Sequence, residues 1–362
     1  MEKDKEIFQR KDDHIKISIN ENINSRNTTW LEYVRFVHNS LPEINLKDID
    51  ITMEFLGKQI NAPLIIGSLT GGTKLGLEIN KKLAEAAEKY QIPLMVGSQR
   101  IQLEHLETSK SFSVVRKSAP SIPIIANLGI SQLIQMENFT SIEKIIHSIE
   151  ADALAIHLNP LQEIIQPEGE TEFSNALEKI SKLNNFLQIP LIIKETGAGL
   201  SKNVSNNLIK AGIKYLDVSG LGGTSFAAVE YNRAKDQKNL SKSNIGNTFL
   251  DWGIPTAASI IETRAVANDS TIIIGSGGIR NGLEIAKSIA IGADISAIAQ
   301  PFLKQAFNNS KDVESYIETL ISELKSSMFL TGCKKIKDLK KSEYVILPPL
   351  RTWLDKRLQK QR

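Results

Sequence analysis

From Pro63 onward the chain alternates between two hydrophobic periods. Short apolar runs, PLIIGSL, PLMVGSQ, PIIANLG, ALAIHLN, PLIIKETG, YLDVSG, TIIIGSGG and ISAIAQP, each end in a small or polar residue. Such runs suit parallel strands covered on both faces. Segments with helical spacing follow them, at 77–90, 107–118, 131–149, 172–187, 201–211, 256–267, 283–291 and 302–328. Eight β-then-α units in succession predict an α/β chain built as a (β/α)8 TIM barrel over residues 63–331. A doubly wound open sheet would more often have fewer strands, and nothing marks a reversal of strand order. Residues 1–62 read as an N-terminal arm, with the charged run Arg10 to His14, followed by a hairpin in ITMEFLGKQINAP that turns at Gly57. Residues 332–362 read as a C-terminal tail packed on the barrel, a surface helix and a strap.

One connection is much longer than the rest. Residues 220–255, after the sixth strand, read as a lid-like insertion, helical at 227–235 and mobile in its Ser/Asn/Lys-rich middle.

In such barrels the chemistry sits at the C-terminal ends of the strands. The fourth strand illustrates why this end draws attention, because apolar Ala153–Ile156 gives way within seven residues to His157, Asn159, Gln162 and Glu163. Pro160 stops the strand by removing a ladder donor. A lone His there is more often structural, but a ring, two amides and a carboxylate together point to a site. Glu163 suits Mg²⁺, which takes one or two carboxylates together with substrate phosphate and water.

GSGGIRNG, from Gly275 to Gly282, follows the seventh strand and opens a helix, so its backbone N–H groups can cradle a phosphate. It is neither a P-loop nor a dinucleotide fingerprint. Lys194 ends an otherwise apolar strand, where a lysine is costly without an anionic partner. Its residue type leaves open a Schiff-base amine, a fixed cation facing an anionic ring or phosphate, or a stem snorkelling to solvent. Arg100 and the Arg10–Lys11 pair are cations with no nearby excess of carboxylates, a set that a diphosphate would use well.

Composition narrows the class. The 44 basic and 41 acidic residues leave a net charge of +3, which argues against broad capture of nucleic acid. Cys333 is the only cysteine, so no disulfide framework exists, and its GCKK context offers no histidine base. The first residues hold no apolar signal region and no run is long enough to span a bilayer, so a cytoplasmic protein with no membrane partner is expected.

Taken in order, RKDDHI, GSLTGGT, VGSQR, ANLG, HLNPLQE, KETGAGLS, DVSGLGGTSF, FLDWGIPTAASI and GSGGIRNG resemble the type 2 isopentenyl-diphosphate isomerases, from Arg10 to about Gly332. HLNPLQE with the Arg-Lys arm is the more specific part, since Gly-rich barrel loops are shared with FMN-dependent hydroxy-acid oxidases. The resemblance implies a homo-oligomeric enzyme, tetramer or octamer, that interconverts isopentenyl and dimethylallyl diphosphate with reduced FMN, Mg²⁺ and NADPH as reductant. It implies flavin contacts at Ser68, Thr70, Ser98, Asn127, Lys194, Ser219, Thr224, Gly277, Gly278, Ala299 and Gln300. It implies substrate contacts at Arg10, Lys11, Ser98, Arg100, His157, Asn159, Gln162, Glu230 and Trp252, catalytic roles for Gln162, His157 and Lys194, and Mg²⁺ at Glu163. Whether Gln162 relays a proton or orients the substrate stays open. Leu221 and Phe226 depart from the small residue and Trp expected of the family, and both read as apolar repacking.

Overall fold

The computed structural model describes the backbone of residues 2–358 except 22 and 24, and side chains from residue 11 with the same exceptions. Twelve strands occur among the described residues. They are β1 (Val34–Phe36), β2 (Met53–Phe55), β3 (Lys58–Ile60), β4 (Leu64–Ile66), β5 (Leu94–Met95), β6 (Ile124–Gly129), β7 (Ala153–Leu158), β8 (Leu191–Glu195), β9 (Tyr215–Asp217), β10 (Ile272–Ser276), β11 (Ile295–Ile298) and β12 (Tyr344–Ile346). Strands β4 to β11 pair in sequence order, all parallel, and β11 returns to β4, so the sheet closes into the expected eight-stranded barrel.

Alternation along the strands divides the core in two. Ile65, Met95, Ile125, Ala153, Ala155, Ile192, Ile274 and Ile295 point into the barrel, while Leu64, Ile66, Leu94, Ile124, Leu154 and Ile193 pack under the helices. The β2–β3 hairpin closes one end, with Phe55 and Ile60 reaching the interior and Phe55 set edge-on to Tyr215. Lys58 ties this plug to the N-terminal ends of β6 and β7 through the Ile122 carbonyl at 3.2 Å and Asp152 at 2.7 Å. The opposite end, where the strands finish, is left for a site.

Two expected helices are each divided. The 131–149 segment becomes Ile130–Gln135 and Thr140–Ser148, with Asn138 accepting from the Thr140 amide between them. The 302–328 segment becomes Gln300–Asn308 and Ser310–Leu330, because Asn309 leaves helical geometry and caps the second helix through the Asp312 amide. The middle of the lid is helical where a mobile stretch was expected. Phe226–Asp236 is followed by Leu240–Thr248, capped by Asn239 and pinned by Lys242 to the Ile164 carbonyl at 2.6 Å. Leu221, buried and bridged to Pro255, joins the two ends of the insertion.

The N-terminal residues form a long helix, Glu2–Asn20, that contacts the lid helix Phe226–Asp236 and the helix Gln300–Asn308. After the barrel, β12 pairs antiparallel with β1, and the helix Leu350–Leu358 packs on Thr256–Arg264. Glu262 fixes that contact. Its fully buried carboxylate accepts from the Trp353 indole at 2.9 Å, Arg357 at 2.9 and 3.0 Å and the Lys202 amide at 2.8 Å. Burial alone would raise its pKa, but Arg357 and these hydrogen bonds hold it below the usual carboxylate range. Among the described residues no helix is long and apolar enough to cross a membrane.

Arg357→Met takes both guanidinium contacts from a carboxylate that water does not reach. The expected cost is about 1.5–3 kcal/mol, seen as a lower denaturation midpoint. An unchanged midpoint would mean that Trp353 and the Lys202 amide hold Glu262 unaided.

Candidate active site

Two adjoining cavities open at the C-terminal ends of the strands and share Ser68, Lys194, Thr196, Thr224, Phe226, Ala299 and Gln300. The inner one lies against the loop that follows β10. There Gly277 and Gly278 have φ of 99° and 76°, and a side chain on either would overlap the carbonyl of Gly220 or Gly222. Two glycine loops therefore meet backbone to backbone at the wall of the inner cavity. Thr256, fully buried at the start of its helix, donates its hydroxyl to the Gly277 carbonyl at 2.6 Å. Arg280 lines the same cavity and donates to the Gly278 carbonyl at 2.9 Å.

Strand register sets the level of the chemistry. Gly129, His157, Lys194 and Asp217 are consecutive partners across β6, β7, β8 and β9. Lys194 donates to the Glu195 carbonyl at 2.6 Å and is 8% exposed. Burial raises the Asp217 carboxyl, while Lys194 and a short hydrogen bond from Ser276 oppose that. Burial likewise pushes Glu195 up to about 7, against the amides of Ala198, Thr196 and Gly197 that point at its carboxylate. His157 is pushed down to about 3, first by burial and then by Lys194 and Lys11, so its ring is neutral.

The outer cavity is lined by Lys11, Ser98, Arg100, His157, Asn159, Gln162 and Glu163, and the arm helix covers it with Lys11, His14, Ile15 and Ser18. Lys11 donates to the Ser98 carbonyl at 2.8 Å. Glu163 accepts from Asn159 at 2.7 Å and from the Glu170 amide at 2.7 Å. Behind Gln162 lies Glu230 on the lid, with no exposed side-chain surface. Its Oε1 accepts from Gln162 Nε2 at 3.0 Å and meets His14 Nε2 at 2.9 Å, and its Oε2 accepts from Arg233 at 2.6 Å. Burial would raise this carboxyl, yet His14, Arg233 and Gln162 bring it down to about 2.

A carboxylate only accepts, so the Gln162 amide must turn its NH₂ to Glu230 and its oxygen to Asn159, 3.4 Å away. Asn159 Oδ1 is buried and has no hydrogen-bond partner among the described residues. A metal fits this corner only in part. Among the described residues no three His, Cys, Asp or Glu side chains gather, and Glu163 is the carboxylate lining the outer cavity. That suits an ion held mainly by a ligand's own phosphates.

Residues 157–346 match the family model of FMN-dependent dehydrogenases. The chain is 47% identical over 352 residues to an isopentenyl-diphosphate delta-isomerase of Sulfurisphaera tokodaii, covering 97% of this chain and 95% of that one. The chain belongs to the type 2 isopentenyl-diphosphate delta-isomerases. Namesakes from Pyrobaculum islandicum and Archaeoglobus fulgidus are 45% and 43% identical, covering 97% and 96% of this chain and 98% of each relative. Among solved structures, flavocytochrome b2 (TM-score 0.68, 20% identity, 94% of this chain and 84% of that one) and mandelate oxidase (0.65, 14%, 92% and 96%) share the fold.

Against this type 2 isomerase frame, most of the residues singled out in the sequence reach one of the two cavities. Ser68, Thr70, Ser98, Asn127, Lys194, Thr224, Ala299 and Gln300 line the outer one, and Ser219, Gly277 and Gly278 the inner. Three placements differ from expectation. Arg100 has a carboxylate partner, Glu170 at 3.1 Å, which sequence separation concealed. Glu230 stands behind Gln162 and lines neither cavity. Trp252 is 63% exposed and borders a separate shallow cavity, stacked edge-on with Phe249. The side chain of Arg10 lies outside the described residues. Phe226 is more than repacking, since it lines both cavities and meets His14 edge-on. His14, Glu170 and Thr256 were given no role from sequence, although RKDDHI and FLDWGIPTAASI contain the first and the last, and Arg280 was placed only within the loop after the seventh strand.

Thr256→Val keeps the shape and deletes the hydroxyl that steadies the Gly277 carbonyl. Losing one such bond, ~1–1.4 kcal/mol, should weaken FMN binding about five- to tenfold in a fluorescence titration. Unchanged affinity would mean that glycine packing alone sets the cradle.

Proposed function

We propose that the protein interconverts isopentenyl diphosphate and dimethylallyl diphosphate in isoprenoid biosynthesis, with FMN kept reduced by NADPH and with Mg²⁺ on the diphosphate. The observation that carries this reading is the row Gly129–His157–Lys194–Asp217, which sets a buried cation between a glycine cradle and a cavity rich in cations and amides. The cradle seats one phosphate, and the chain has no second nucleotide fingerprint, which favours FMN over FAD. Reduced flavin, when bound, supplies an acid/base group beside the alkene.

The protein's own part is binding and position. Ser68, Thr70, Ser98, Asn127, Ser219, Thr224, Gly277, Gly278, Ala299 and Gln300 hold the flavin, with Arg280 added at the phosphate. Lys194 compensates negative charge on the ring as a fixed cation, a role that fits its buried place in the row beside Asp217. Lys11, Ser98, Arg100 and His157, joined by Arg10, anchor the diphosphate, so that remote binding energy orients the alkene. Asn159 and Gln162 line the approach, and Glu230 holds the Gln162 amide in one orientation. Glu163 would hold Mg²⁺. The arm helix and Phe226 cover the cavity and limit entry of water. We place the enzyme in the cytoplasm as a homo-oligomer, tetramer or octamer.

An α-hydroxy-acid oxidase would need a histidine base and an arginine pair at the late strands. No histidine follows His157 in the chain, and Arg280 already donates to the Gly278 carbonyl.

Reduced, FMN-loaded protein given isopentenyl diphosphate and Mg²⁺ without oxygen should form dimethylallyl diphosphate, and absence of that product would sink the reading. Glu163→Gln should keep the flavin spectrum and lose activity even at high Mg²⁺. Wild-type activity and metal dependence in that variant would make Glu163 structural.

A further inference from the structure

The protonation of His157 is decided two residues away. The Val96 carbonyl can only accept, so the Asn127 amide must aim its NH₂ there, at 3.1 Å. Its oxygen then faces His157 Nδ1 at 2.9 Å, and the ring must carry its hydrogen on that nitrogen. Nε2 is left for the cavity, on the side where Gly129 lacks a Cβ that would stand 3.0 Å away. In the neutral ring that atom is a lone pair, and it faces the place where the diphosphate is proposed to sit. A phosphate oxygen is also an acceptor, so the two repel unless a proton lies between them.

We propose that binding of a diphosphate at this site draws one proton onto Nε2 of His157. The inference rests on the diphosphate reading above and adds a proton to it. An N–H bond forms on the ring as an O–H or N–H bond of a solvent or buffer acid breaks, so the complex takes up one proton from solution. No rearrangement is needed, because the bond from Nδ1 to Asn127 is the same in the neutral and the charged ring. Empty, the site disfavours the charged form through burial, Lys194 on β8 and Lys11 on the arm helix. A bound polyanion shifts that balance toward the charged ring, since its negative charge offsets the two lysines and the phosphate oxygen accepts from Nε2–H. Of the other charged groups around the cavity, Arg100 is paired with Glu170, His14 meets Glu230, and Glu163 accepts from Asn159 and the Glu170 amide.

The test uses oxidised FMN-loaded protein with inorganic pyrophosphate and Mg²⁺ as the probe. Calorimetry in buffers of different ionisation enthalpy should show about one more proton taken up per site by the wild type than by His157→Gln. Wild-type affinity should correspondingly fall up to tenfold more per pH unit, the slope of a one-proton linkage. A second measurement needs no variant. In protein labelled at the histidine ring nitrogens, pyrophosphate should convert one ring from the neutral Nδ1–H pattern to the doubly protonated one. Binding with equal proton counts and no converted ring overturns the proposal while the diphosphate reading stands. Failure of pyrophosphate to bind at all brings down both.

Discussion

Glu230 is a carboxylate with no route to water, and what closes over the barrel mouth is arranged around it. A buried charge is tolerated only when it is paired and hydrogen-bonded, and removing one partner typically costs about 3–5 kcal/mol. Here the partners come from three segments distant in sequence. His14 belongs to the arm helix, Gln162 to the short helix Pro160–Ile165 after β7, and Arg233 to the lid helix that carries Glu230 itself. Arg233 passes the connection on to Glu168 at 3.0 Å. Satisfying one carboxylate thus draws the arm and the lid together above the barrel strands. The same constraint turns the Gln162 amide in one direction, which converts a structural requirement into a chemical one.

Beneath that closure the barrel supplies rigidity. The plug formed by β2 and β3 fills one end with Phe55 and Ile60, and the parallel register places Gly129, His157, Lys194 and Asp217 at one level. Glycine at the first of these positions leaves room for the imidazole at the second. The helix Thr256–Arg264 links the flavin side to the C-terminal strap, since Thr256 steadies Gly277 at one end and Glu262 receives Trp353 and Arg357 at the other. Position in the site is therefore set by strand register and by buried hydrogen bonds from outside the barrel.

The eight strands were legible because each is a short apolar run that must be buried on both faces, and the polar residues ending them marked the mouth directly. Helix interruptions were less legible. Asn309 reads as one polar residue on a helical face until its side chain is seen to cap the next helix. Long-range pairing was the hardest to see, since nothing near Arg100 announces Glu170, and the resemblance that implied a pocket place for Glu230 carries no sign of its links to His14 and Gln162. Trp252 is a related case: the resemblance implied a place in the substrate pocket, while the fold turns the side chain outward beside Phe249.

The central claim is that Glu230 holds arm and lid together, and hydrogen exchange on Glu230→Gln tests it most directly. The substitution keeps the volume and deletes the charge. Amides of the arm helix from Lys11 to Ser18 and of the helix Pro160–Ile165 should lose protection together, while the barrel strands β6 to β8 exchange as before. Protection of both helices identical to the wild type would contradict the account, and would place the closure of the site in apolar packing rather than in this carboxylate.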